Sequence, residues 1–239
     1  MTIRLKETES TNTYLKQLLS RQAVEEWTVV VTDSQTAGRG QRGNSWESES
    51  GKNLTFSLVL YPRHIPPSRQ FCLSQMIALG VTDALQKFGS GFSVKWPNDI
   101  YWNDQKIAGI LIENEIIGST FESAVAGIGL NVNQEIFRSP APNPVSLKQI
   151  TGIEIDLSAL LTDIVECIRK RYYGGNTETL HRNYLQMLFR KEGMYPYRDR
   201  NGLFYASLSG IGEEGHLILE TENHEIRKYA FKEISYILK

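Results

Sequence analysis

The chain has 239 residues and carries 26 basic against 27 acidic side chains, a formal net charge of −1. That balance argues against a partner held by wholesale phosphate neutralisation, because nucleic-acid binders are usually more basic. The length allows one large or two small domains, and a chain of this size buries roughly 70% of its unfolded surface, enough for a core without staples.

Met1 to Lys6 carries charge and no apolar run, so no signal peptide is read there. No apolar stretch is long enough to span a membrane, and the expectation is a soluble cytoplasmic protein. Cys72 and Cys167 fall inside apolar helical patterns and read as buried thiols without metal-type spacing. Glu9-Ser10-Thr11-Asn12 precedes Tyr14, Leu15, Leu18 and Leu19. The spacing predicts a helix with Ser10 or Thr11 as its cap. Such an N-terminus also presents free N–H groups and three small polar side chains, although a cap and nothing more is the simpler reading. The β-branched run Val29 to Thr32 predicts a strand.

The loop Ser34 to Trp46 follows that strand. It holds Gly38, Gly40 and Gly43 with Arg39 and Arg42 among them. Bare amides and guanidinium forks suit a phosphate or carboxylate, and Trp46 offers a flat ring for stacking. The alternative is a solvated glycine-rich loop. The loop is no Walker A motif. Gly38 to Gly43 has dinucleotide-fingerprint spacing, but about 20 residues on, where an acidic residue is wanted, the chain reads Phe56-Ser57-Leu58-Val59.

Asn53 to Leu60 alternates enough for a strand, and Arg69 to Phe88 reads as a long helix closed by Gly89 and Gly91. Val94 and Trp96 read as a strand that Pro97 ends or places at an edge. Asn103-Asp104 makes a turn and Lys106 to Glu113 returns, a hairpin with Lys95 on one arm and Lys106 on the other. A lysine flanked by apolar residues is costly to bury unless it meets an anion; the alternative is an edge lysine snorkelling to water. Ser123 to Asn133 is a further strand interrupted by Gly127 and Gly129, where a ligand comes close or a bulge forms. Gln134 to Pro144 reads as a long polar loop, Ser146 to Thr151 as a short helix, Leu157 to Tyr173 as an amphipathic helix capped by Asp156, and Thr177 to Leu188 as another. Tyr195 to Lys239 has short alternating runs of antiparallel character. The expected organisation is α+β: residues 1–190 form a larger domain and residues 191–239 a small β-domain.

In order and separation, Glu9 to Asn12, Gln35 to Trp46, Lys95 to Asp99, Lys106 to Glu113 and Gly127 to Asn131 resemble the biotin protein ligases over about the first 135 residues. The resemblance implies a mixed β-sheet catalytic domain with packed helices, related to class II synthetases, and a small C-terminal SH3-like domain. It implies that biotin and Mg·ATP give biotinoyl-AMP and pyrophosphate, and that a lysine of a biotin carboxyl carrier protein then displaces AMP. Lys106, Arg39 and Lys95 are the implied catalytic cations. Ser10, Thr11, Asn12, Gln35, Arg39, Gly40, Gln41, Lys106, Gly109, Gly127 and Leu130 are implied around biotin. Arg39, Arg42, Trp46, Lys95, Asn98, Asp99 and Asn131 are implied around the nucleotide, with Trp46 stacked on adenine. Asp99 is the acidic residue considered for Mg²⁺, whose ligands stay open. Some members carry arginine where Gln41 stands, so this loop has one cation fewer. Repressor-type members place a helix-turn-helix domain before the Ser-Thr-Asn motif, whereas nine residues precede Ser10 here. The expectation is the monofunctional type, with no nucleic-acid or membrane partner and with homodimerisation left open. Lipoate or octanoate ligases and a DNA regulator without catalysis are the rivals.

Overall fold

The computed structural model describes residues 1–41, 44–138, 143–174 and 176–238. Its larger sheet begins with β1 (Thr2–Thr8), which lies parallel to β2 (Val29–Gln35) across α1 (Thr11–Arg21). The later strand-to-strand pairings of this sheet are antiparallel. β3 (Leu54–Leu60) pairs with β2, and β7 (Thr120–Leu130) pairs with β3 on one side and β6 (Gln105–Ile117) on the other. β5 (Asp99–Trp102) and β4 (Phe92–Lys95) complete a seven-stranded mixed sheet of order β1-β2-β3-β7-β6-β5-β4.

α2 (Phe71–Leu85) is apolar nearly all round and is buried between the sheet and α4 (Leu157–Tyr173), as expected of a helix with no face left for water. The main core therefore lies on this side, with Phe56, Leu58, Leu73, Ile77, Ile164 and Ile168 almost wholly inaccessible. α1 covers the other face, where Leu15 packs with Val30, Val59 and Val125 in a smaller cluster. Local chemistry sets the helix ends. Asp156 Oδ1 accepts from Ser158 N and Ala159 N at the start of α4, and Asn176 Oδ1 does the same for α5 (Thr177–Gln186). Ser146 and Gln149 form a capping box on the short α3 (Leu147–Thr151).

The sheet differs from the sequence-based expectation in three places. The charged N-terminal segment is an edge strand, β1. The turn after Trp96 leads into a separate strand, β5, so Lys95 and Lys106 lie on either side of β5 rather than on adjoining arms of one hairpin: Lys95 pairs with Asp99 and Lys106 with Tyr101. β7 runs without a break through Gly127 and Gly129; the irregularity in its pairing with β6 is at Glu115/Ile116.

After α5 the chain hydrogen-bonds along β4, with Val94 N donating to Met187 O and Phe189 N to Val94 O. It then enters a second, five-stranded antiparallel sheet: β8 (Met194–Asp199), β9 (Gly202–Ile211), β10 (Leu217–Thr221), β11 (Ile226–Tyr229) and β12 (Ser235–Tyr236), ordered β11-β10-β9-β8-β12. Trp96 Nε1 donates to Gly215 O at 2.8 Å and Arg190 Nη2 to Ile237 O at 2.9 Å. These bonds hold the small sheet against the β4–β5 end of the large one.

Candidate active site

A cavity of about 530 Å³ opens over β3, β7 and β6, between the N-terminus of α1 and the small sheet. It gathers Ser10, Thr11, Asn12, Gln35, Arg39, Gly40, Gln41, Trp46, Lys95, Asn98, Asp99, Lys106, Gly109 and Gly127 from the sequence-based set. Two members of that set lie elsewhere. Leu130 is wholly buried in the core. Asn131 is buried at the end of β7, where its Nδ2 donates to Val145 O at 3.1 Å. Arg42 lies outside the described residues, as does Gly43.

The α1 end of the cavity is a closed hydrogen-bond system. Ser10 occupies the N-cap position, but its side chain makes no cap bond, so its hydroxyl is not consumed by the helix. Gln35 Oε1 accepts from Thr11 N at 2.8 Å. Ser57, fully buried on β3, lies 2.7 Å from Thr11 Oγ1 and 2.6 Å from Asn12 Oδ1. Asn12 Nδ2 donates to Glu113 Oε2 at 2.8 Å and to Leu111 O at 3.2 Å. Burial raises the Glu113 carboxyl, but the Asn12 bond, Lys16 and Arg39 outweigh it and hold the group below its ordinary value. Side chains linked this way have fixed orientations, which suits a neutral ligand with several donors and acceptors.

Between the two ends the floor is glycine. A Cβ on Gly127 would lie 2.4 Å from Asn12 Oδ1, and one on Gly129 2.3 Å from Trp46 Cε2. The indole of Trp46 lies across Gly129 and Gly109 with Lys106 Nζ 5.6 Å from its centroid. Its Nε1 is buried and finds no acceptor among the described residues.

The far end is cationic. Lys106 Nζ lies 2.7 Å from Asp99 Oδ1, both side chains less than a quarter exposed. Lys95 sits between the rings of Tyr101 and Tyr236, 5.1 and 4.9 Å from their centroids. Burial lowers its pKa, with Lys106 and Arg190 adding to the effect and Asp99 opposing it. Asn98 braces the Trp96–Asp99 turn: its Nδ2 donates to Ile110 O, and Ile110 N to Asn98 O. Asp99 is the one carboxylate among the lining residues and is already paired. Among the described residues no group of three or more His, Cys, Asp or Glu could hold a metal.

The glycine-rich segment borders the cavity, and a second segment lies outside its described lining. In the first, Gly40 N donates to Asn44 O and Trp46 N to Gly38 O. Arg39 turns to the rim, where Nη2 donates to Thr13 Oγ1 and lies 3.4 Å from Glu113 Oε2. An ion pair this exposed is worth under about 1 kcal/mol, so Arg39 is readily released to a stronger anion. The second segment follows β7. Gln134, almost wholly buried, accepts at Oε1 from Glu49 N and Asn53 Nδ2 and donates from Nε2 to Glu47 Oε1 and Ile136 O. It thereby ties the chain after β7 to the chain before β3.

Sequence reasoning missed Ser57, Tyr101 and Tyr236 and gave Glu113 no role. Ser57 carried a usable signal: with Thr55 it breaks an otherwise apolar strand on one face. Tyr236 carried none, because only the packing of the two sheets brings it to Lys95.

The sequence profile of the biotin/lipoate A/B protein ligase family matches residues 5–131. The bifunctional ligase/repressor BirA of Bacillus subtilis is 35% identical over 212 residues, covering 85% of this chain and 64% of that protein. The biotin–[acetyl-CoA-carboxylase] ligase of Paracoccus denitrificans is 33% identical over 159 residues, 64% of this chain and 65% of that one. The chain thus spans less than two thirds of the length of these curated relatives. Among solved structures, the biotin protein ligase from Aquifex aeolicus in complex with biotin and ATP superposes with a TM-score of 0.82 at 28% identity, covering 100% of this chain and 99% of that one.

Proposed function

The chain belongs to the biotin/lipoate A/B protein ligase family, and from that premise we propose that it activates biotin with ATP and transfers the biotinoyl group to a lysine of a biotin carboxyl carrier domain. A carboxylate oxygen of biotin attacks the α-phosphorus, and the bond to pyrophosphate breaks. The carrier amine then attacks the acyl carbon of biotinoyl-AMP, loses a proton and expels AMP. No side-chain nucleophile is needed; orientation and charge stabilisation supply the acceleration.

The observation that carries this reading is the polarity of one cavity: hydrogen-bonded hydroxyl and amide side chains line one end and two lysines the other. The first suits a ureido ring and the second a polyphosphate, with the carboxylate and α-phosphate meeting near Lys106. Trp46 between them suits the acyl tail and adenine. Magnesium bound with ATP would neutralise part of the triphosphate charge, and Asp99, the one carboxylate among the lining residues, would be the side chain to meet it. The relatives' names support the chemistry: the Aquifex structure holds biotin and ATP, and the Paracoccus protein is named for the carboxylase it modifies.

We assign residues 1–190 to the catalytic domain and 191–239 to the small β-domain. No helix among the described residues is long and apolar enough to cross a membrane, and the cytoplasm is the proposed location. Ligase chemistry without operator binding is the proposed mode; a sequence-dependent, salt-resistant gel shift would overturn it. The family also includes lipoate ligases, but a plain acyl chain offers no donor or acceptor to the polar α1 end of the cavity. The decisive experiment measures pyrophosphate release with ATP and biotin, lipoate or octanoate, followed by mass spectrometry of a carrier domain. Biotin-dependent release and a carrier mass shift are expected. Equal turnover of octanoate would sink the biotin assignment.

A further inference from the structure

The small sheet has a position in the cavity that the reaction above does not explain. Lys95 is held without an acid: no carboxylate among the described residues lies within ion-pair distance of its Nζ, and Asp99, the near one, is taken by Lys106 at 2.7 Å. Its partners are two ring faces. Tyr101 comes from β5 of the large sheet and Tyr236 from β12 of the small one. A half-buried ammonium with aromatic partners is less solvated than in water. Ring quadrupoles hold it in place without neutralising it, so its charge remains available to an incoming anion.

The Tyr236 ring is itself fixed. It packs edge-on to Tyr197, its cross-strand partner on β8, with centroids 5.0 Å apart, and its centroid lies 6.2 Å from that of Phe189. Phe189 in turn contacts Tyr101 at 5.2 Å. This aromatic wall leaves one face of Tyr236 toward the Lys95 ammonium. The β12 strand is only two residues long, so the ring is located by packing rather than by an extended ladder.

We propose that Tyr236 is a positioning residue for nucleotide binding: the small sheet, through this ring, holds Lys95 extended into the cavity for the triphosphate. The proposal rests on the adenylation reading, and it specifies that the small sheet acts on the nucleotide and not on biotin. The neutral ligand end of the cavity lies across the sheet, with its own partners in Ser57, Gln35 and Glu113. Loss of Tyr236 therefore separates the two substrates.

The test uses the full chain and three kinds of change at position 236. Tyr236→Leu removes the ring, Tyr236→Phe keeps it without the hydroxyl, and mono-, di- and trifluorinated phenylalanines weaken the ring quadrupole at nearly constant shape. Affinity for a non-hydrolysable ATP analogue is measured by titration calorimetry on biotin-saturated protein, and biotin affinity on the nucleotide-free protein. Tyr236→Leu should weaken the ATP analogue about tenfold, the size of a desolvated cation–π contact, with biotin affinity changed less than twofold. Tyr236→Phe should stay within about twofold of the parent, and the fluorinated series should lose affinity stepwise. In a Lys95→Met background the same changes should have no further effect. If the leucine variant does not fold, the fluorinated series decides alone. A flat fluorine series, an equal loss of biotin affinity, or additive effects with Lys95→Met would overturn the proposal. Adenylate formation by the parent is scored separately, so failure of the biotin reading is not confused with failure of this one.

Discussion

The two ends of the cavity are built by opposite means. At the α1 end, Thr11, Asn12, Gln35, Ser57 and Glu113 are locked to each other by short hydrogen bonds. At the other end, Lys95 and Lys106 are steered by aromatic faces and one carboxylate. The first end gives direction and little net charge. The second gives charge. A saturated network recognises shape, because each lost partner leaves a buried group unpaired. Cations held by ring faces and one carboxylate recognise charge.

The largest effect should come from breaking the charged end. Lys106→Ala removes the cation nearest the proposed α-phosphate position, and loss of one preorganised group of this kind costs about 3 kcal/mol or more, roughly a hundredfold. Rapid-quench measurement of biotinoyl-AMP should show that loss with the fold intact by circular dichroism; a rate within threefold of the parent would remove Lys106 from the chemistry. Gly127→Ala attacks the other end. Its Cβ would lie 2.4 Å from Asn12 Oδ1, so the amide must move and the Ser57 and Glu113 bonds are strained. Displacing a buried hydrogen-bonded group costs about 1 to 3 kcal/mol. The KM for biotin should rise some tenfold or more while the KM for ATP holds, and a parallel rise in both would show that the two ends are not separable.

A finer cut is Ser57→Ala, which unlinks Thr11 from Asn12 without adding atoms. We expect about 1 to 2 kcal/mol of lost stability in urea melts and a severalfold weaker biotin affinity; unchanged biotin binding would mean that the network is structural only. The smallest effect is on acid stability. The folded Glu113 carboxyl lies below its ordinary value of 4.5. Its stabilisation is therefore complete above that value and is lost as pH falls through the lowered folded pKa. Its cationic partners Lys16 and Arg39 are about half exposed, so the gain is under about 1 kcal/mol. Glu113→Gln should flatten the acid limb of a stability–pH curve by that amount, and an unchanged limb would remove Glu113 from the linkage.

Much of this was legible in the sequence where the signal is local. Asp156 and the periodicity behind it define α4, and the order of the short motifs marks one cavity. Local signals failed where partners are distant. β1 carries Arg4, Lys6 and Glu7, charges that suit an edge strand but mask its alternation. Pro97 looked like an ending, yet Asn98 pins the turn to β6 and lets β5 begin at once. Asn131 and Leu130 lie in a motif with Gly127 and Gly129, but β7 leaves the cavity floor before reaching them.

The bonds from Trp96 to Gly215 and from Arg190 to Ile237 make the cavity depend on two sheets of unequal size. Small units open at lower free energy than large ones, each as a local cooperative event. On warming, the five-stranded sheet should release first, and with it the wall behind Lys95, while the α1 end remains closed. The protein would then lose the two proposed ligands at different temperatures: nucleotide at the melting of the small sheet, biotin only at that of the large one.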